Sequence, residues 1–354
     1  MKNEIKDVDY LAISARIRAM ETRLLTSERL EKLLAANTKD ESDKILAECG
    51  YPPLDATHPN EMDAALAAER AETLEDIFQG APDSRYVDIF TLKYDYHNVK
   101  AILKAAEKGI SPEPYYLRGG RYTPEELKDA IEKDDYSYLT HTLAQAIPDT
   151  REVLATTRDP MLADCVLDRY SFLDMLDEAQ STGSQFLEGY VRLQMDAYNL
   201  RTVVRTLRMG KPAEFLQTVL VDGGVVGGEE LYNIASNKGS GLAEIYHPTP
   251  LAVAAGEGVA ALDSNGFLTD FERLVDDGVM SYLSAAQMVP FGEEVLLAYL
   301  SARETEYLNL RIILLGKAAK LPTETIRSFA ALPRRIMRRF RYSVSLASSG
   351  PATG

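Results

Sequence analysis

The sequence predicts an all-α fold built from three similar helical modules, and three observations carry that prediction. Apolar residues recur at spacings of three and four over long stretches, as the inward stripe of a helix requires. Alternating strand patterns are scarce. A six-residue pattern of acid, two spacers, Asn, apolar residue and base occurs three times, about a hundred residues apart: Asp95-Tyr-His-Asn98-Val99-Lys100, Asp196-Ala-Tyr-Asn199-Leu200-Arg201 and Glu306-Tyr-Leu-Asn309-Leu310-Arg311.

The elements follow in chain order. In residues 9–25, Tyr10, Ile13, Ile17, Met20 and Leu24 fall on one stripe, which predicts a first helix. The stretch 24–36, LLTSERLEKLLAA, has the composition of a helix start. Further helices are expected at 61–79, 85–107, 124–145, 161–180, 185–209, 228–237, 266–286, 292–317 and 322–341. Breakers at 51–60, 107–120, 221–230 and 246–250 separate them.

Flanking residues extend the repeat. The segments 186–211 and 295–320 share apolar positions on both sides of the Asn, and RGGRYTPEELKDAI (118–131) matches DGGVVGGEELYNIA (222–235) as a glycine turn leading into a helix. Leu30, Leu127 and Leu231 mark three module starts and the three Asn mark module ends. Modules are therefore expected at 1–118, 119–222 and 223–332, followed by a basic helix end and flexible tail at 333–354.

Placed on a helix with Asn at 0°, the apolar positions one, four and five later fall at about 100°, 40° and 140°, and the acid three earlier at about 60°. The carboxylate thus points into the apolar stripe, while the base, at about 200°, points away toward solvent or another module. An acid in such a place must be hydrogen-bonded, paired or protonated. Two readings are open: the acids bind protons or a metal, or each acid and Asn receives backbone groups from a neighbouring segment and fixes its register. Recurrence once per module favours the second.

Composition narrows the function. A net charge of -15 argues against nucleic acid as a partner and against docking on anionic lipid by charge alone. Two cysteines, Cys49 and Cys165, suggest neither a disulfide framework nor a thiolate metal site, and no stretch has the ~18 uninterrupted apolar residues of a spanning helix. Without a signal-like amino terminus, a soluble intracellular protein is expected. No phosphate-binding loop, dinucleotide fingerprint, nucleophile elbow or histidine metal pair is present, so neither a cofactor nor a small-molecule substrate is expected. The cluster PRRIMRRFRY (333–342) is read as a helix end whose bases complement the macrodipole.

Taken together, YLAISARIRAMETRLL, DAYNLRTVVRTLRMGK and ETEYLNLRIILLGK resemble the C subunit of prokaryotic V-type (A/V-type) ATPases and ATP synthases, the family of the eukaryotic V-ATPase d subunit. The resemblance spans roughly residues 8–332 with the motifs in the family's order. It implies three similar domains about a pseudo-threefold axis in a funnel shape, with no active site. It further implies a central-stalk rotor part, peripheral at the cytoplasmic face of the membrane, whose partners are the D/F-type shaft subunits and the proteolipid ring. Two features depart from the family: the tail beyond Leu332 is longer, and the first copy has Val99 and Lys100 where the others have Leu and Arg. A general helical interaction scaffold and a carboxylate cluster of Asp95, Asp196 and Glu306 for metal are the alternatives.

Overall fold

The computed structural model describes residues 6–262 and 267–330, so the expectations for 333–354 lie outside them. Among the described residues the secondary structure is helical throughout and contains no strand. The chain begins with α1 (Leu11–Met20), α2 (Ser27–Ala35), α3 (Lys39–Glu48) and α4 (Pro59–Gly80). The long α5 (Arg85–Lys108) follows, then α6 (Pro124–Lys133), α7 (His141–Thr157) and α8 (Pro160–Thr182). After the long α9 (Gln185–Arg208) come α10 (Leu216–Val219), α11 (Gly228–Ser236), α12 (Leu242–Tyr246), α13 (Ala252–Leu262) and α14 (Thr269–Leu283). The last long helix, α15 (Glu293–Ala318), leads to α16 (Thr323–Phe329).

Capping explains several boundaries. Thr26 accepts a bond from the Arg29 amide to start α2, and Ser184 accepts one from Leu187 to start α9. Thr123 and Glu126 form a reciprocal capping box at α6, with Pro124 in the first turn. The structure differs from the sequence expectation in two places. The single helix expected at 124–145 is two, because Asp134 takes a left-handed conformation (φ 55°) and Thr140 caps a new helix that runs through Pro148 to Thr157. Helices α3, α10, α12 and α13 are additional to those expected; α3 is fixed by a capping box between Thr38 and Glu41, and α13 packs Gly258 against Val204 and Phe271.

Packing joins each long helix to others: α5 lies on α8, α9 on α14, and α15 on α4 and α1. Among the described residues three apolar cores result. One is built from α5 to α8, around Val99, Leu127, Leu143 and Leu167. A second joins residues 25–66 to α15 and α16, around Leu30, Leu46, Leu310 and Ile326. The largest holds α9 to α14 together with α1 and the first turns of α5 and α15. No described helix is long and apolar enough to cross a membrane.

Candidate functional site

The three copies of the repeated pattern lie on α5, α9 and α15, and the first two work in the same way. Asp95 is fully buried; its two carboxylate oxygens accept the amides of Arg121 (3.1 Å) and Tyr122 (3.2 Å). Asp196, equally buried, accepts Val225 and Val226, both at 3.1 Å. Asn98 donates to the Leu117 carbonyl (2.8 Å) and accepts from the Leu117 amide (2.9 Å), and Asn199 does the same with Val221 (2.7 and 2.9 Å). Each acid–Asn pair therefore binds the next turn of chain by four backbone groups, which are costly to bury unpaired.

Both paired glycines of those turns are required. Gly119 and Gly223 have φ of 107° and 117°, which an L side chain rarely adopts. At Gly120 and Gly224 a Cβ would stand 2.1 and 2.2 Å from an oxygen of Asp95 and Asp196. The backbone can approach the carboxylate this closely only where there is no side chain.

The third copy is completed by the other end of the chain. Glu306 accepts the amide of Leu25 (2.5 Å), 281 residues away. Counting back from the helix starts, with Leu30 matched to Leu127 and Leu231, Leu25 occupies the place of Tyr122 and Val226, so the same lock is made in the same register. No glycine pair precedes it: the exposed Arg23 stands at the position of Gly120. The extra methylene of Glu lets the carboxylate reach a backbone that cannot come so near. Its second oxygen takes the Tyr51 hydroxyl (2.5 Å) and the Arg303 guanidinium (2.6 Å) instead of another amide. Arg303 is itself buried, bonded to Tyr51 (2.9 Å) and Glu69 (2.9 Å) and set over the rings of Tyr51 and Tyr307. Asn309 is buried beside it.

The bases of the pattern also act alike. Lys100 pairs with Asp168 on α8 (2.5 Å), Arg201 with Glu272 (2.7 Å) and Asp276 (2.6 Å) on α14, and Arg311 with Asp63 on α4 (2.8 Å). Helices α8, α14 and α4 directly precede α9, α15 and α5. Each long helix is thus tied to the helix that leads into the next long one, and the third tie returns to the first module. The contacts close a cycle.

Burial sets the electrostatics. It pushes the Asp95 carboxyl up to about 7 and that of Asp196 up to about 6, with the two backbone amides pulling each back down. Glu306 is also raised by burial, against the lowering effect of Arg303. The three acids do not meet: each binds its own segment, and among the described residues no group of three or more His, Cys, Asp and Glu is placed to hold a metal ion. His97, inside the first copy, donates from Nε2 to the Tyr115 carbonyl (3.0 Å).

Between the long helices lies a hollow of about 430 Å³. Phe90 and Lys93 of α5, Tyr190 and Tyr198 of α9, and Glu304 and Leu308 of α15 line it. Sequence reasoning missed Arg303 and Tyr51. The signal for Arg303 was a charge three residues before the acid where the other copies have Leu92 and Leu193; Tyr51 lay in a segment read only as a breaker.

An all-helical chain whose repeated polar residues face its own backbone is a structural building block. Residues 13–329 match the ATP synthase (C/AC39) subunit family, and the chain belongs to that family. It is 25% identical over 321 residues to the C subunit of the V-type sodium ATPase of Enterococcus hirae, covering 90% of this chain and 97% of that one. The C subunit of the A-type ATP synthase of Methanocaldococcus jannaschii is 24% identical, over 90% of this chain and 85% of its own. For the C subunit of the V-type ATP synthase of Deinococcus radiodurans the figure is 24%, over 90% of each. The family makes this chain a structural rather than a catalytic part of its complex.

Proposed function

We propose that this chain is the central-stalk rotor subunit of a V-type ATPase or ATP synthase, a socket that couples the central shaft to the membrane proteolipid ring for rotary proton or sodium transport. Its relatives, the C subunits of a V-type sodium ATPase and of A-type ATP synthases, support the assignment to such a complex. The observation that carries the socket reading is the closed cycle of locks on α5, α9 and α15, with a hollow where those three helices face one another. A part that transmits torque must resist twisting, and the buried polar contacts at each joint supply that stiffness.

On this reading the three modules, with starts marked by Leu30, Leu127 and Leu231, stand about a pseudo-threefold axis as a funnel at the cytoplasmic face of the membrane. The repeated residues Asp95, Asn98, Lys100, Asp196, Asn199, Arg201, Glu306, Asn309 and Arg311 are its joints. Co-purification with the D/F-type shaft subunits and with the detergent-solubilised proteolipid ring tests it. Binding to both is expected, and failure to bind either overturns the proposal.

A further inference from the structure

We infer that the basic segment PRRIMRRFRY (333–342) of this same chain docks in the central hollow between the long helices. The hollow supplies both the charge and the apolar wall that suit such a segment, and the described residues end beside it.

The charge comes from carboxylates. Asp168 of α8, Asp276 and Asp277 of α14 and Glu304 of α15 all line the hollow. Their bases are Lys100, Arg201 and Arg273 and, for Glu304, both Lys93 and Arg70. Of these bases only Lys93 belongs to the wall, so four negative charges and one positive face the space. A guanidinium inside a hollow of about 430 Å³ stands within the ~8 Å screening length of physiological salt from several of them.

The same wall carries half-buried apolar and aromatic side chains: Phe172, Met175, Tyr198 and Met280. The rings of Phe172 and Tyr198 lie 5.2 Å apart, and Leu308, 51% exposed, leaves that side open to an incoming group. Aromatic faces attract guanidinium groups, and the apolar side chains give an amphipathic segment somewhere to bury its own. The segment 333–342 has that composition. It holds five Arg and no acid, with Ile336, Met337, Phe340 and Tyr342 among them, in a chain whose net charge is -15.

Place and reach agree with chemistry. Helix α16 packs on α14 and α15, which form one side of the hollow, and Ala330 at its end is buried. Leu308 lies ten residues before the end of α15, ~15 Å along the helix. The ten residues from Ala330 to Phe340 span up to ~35 Å when extended, so the segment reaches the hollow with chain to spare. Under the rotor reading proposed above, the shaft enters the same space, and the segment is then an internal competitor that a shaft has to displace.

Thiol cross-linking in the full chain alone, without any partner, tests the docking. Cys165→Ala leaves Cys49, which is buried. Phe340→Cys is combined either with Leu308→Cys in the hollow or with Leu321→Cys, a position 44% exposed, nearer to the segment along the chain and outside the hollow's wall. A short bifunctional thiol reagent joins a tethered but undocked segment more readily to the nearer position. A docked segment should link to position 308 at least about tenfold faster than to position 321. Changing Arg334, Arg335, Arg338, Arg339 and Arg341 to Gln should slow linking at 308 at least about fivefold. Equal or faster linking at 321, linking between two chains, or linking at 308 that survives loss of the arginines would each overturn the inference. Co-purification with shaft and ring is a separate measurement, so failure of the docking and failure of the rotor reading are told apart.

Discussion

At the scale of single residues, one side chain that matches both polar groups of a buried peptide unit is hard to replace. Asn199→Ala would leave the Val221 amide and carbonyl without partners, and a loss of about 2–4 kcal/mol in unfolding free energy is expected by denaturant titration. Lys100→Ala breaks a partly exposed pair and should cost less than about 1 kcal/mol. Equal losses in the two variants would remove the distinction between lock and surface tie. The acids make a second prediction. Because the folded carboxyls of Asp95 and Asp196 titrate at about 7 and about 6, above the ordinary carboxylate range near 4, the folded state binds their protons more tightly than the unfolded chain. Their contribution to stability is therefore full in acid and is lost as pH rises through those two values. Carbon-13 carboxyl shifts should titrate near pH 7 and 6, and unfolding free energy should fall between about pH 4 and 7 after allowance for other groups. Carboxyl shifts that titrate near pH 4 would contradict this.

At the scale of elements, the glycine pairs are what let a short acid work. Gly224→Ala would force the Asp196 carboxylate away from Val225 and Val226, and a loss of about 2–4 kcal/mol is expected in thermal or chemical unfolding. A variant as stable as the parent would show that the turn has slack the close approach denies. Much of this level was legible in the sequence. Helical period placed α4, α5, α8, α9, α11 and α15 within two or three residues of their ends, and the 60° offset put Asp95 and Asp196 among apolar neighbours, where they are buried. The split of the helix expected at 124–145 was not legible in the helical period, because Asp134 ends α6 through a left-handed conformation that apolar spacing does not register. The base at 200° was expected to face away from the stripe; it faces the acid of a second packed helix, a partner that spacing along one helix cannot reveal.

At the scale of the whole molecule, the order of contacts differs from the order of the chain. Each lock joins a long helix to the segment that follows it, except that α15 takes the segment beginning at Leu25. The sequence concealed this because the compensating changes are two and far apart: no glycine pair near Arg23, and Glu rather than Asp at 306. Only the fold brings them together. The segment 81–330 made alone would expose Tyr307, Leu310, Ile313 and Leu314, and should aggregate; co-expression with residues 1–80 should restore a soluble pair. Solubility of the longer piece by itself would show that this core is dispensable.

The lock between Leu25 and Glu306 also has a consequence for biosynthesis. A ribosome that has released Leu25 must add another 281 residues before its carboxylate exists, on the order of 15 to 55 s at ordinary elongation rates. Throughout that interval Leu30, Leu33, Leu34 and Leu46 lack the surface that finally covers them. The nascent amino-terminal third is thus a client for chaperones until translation of α15 supplies its missing wall.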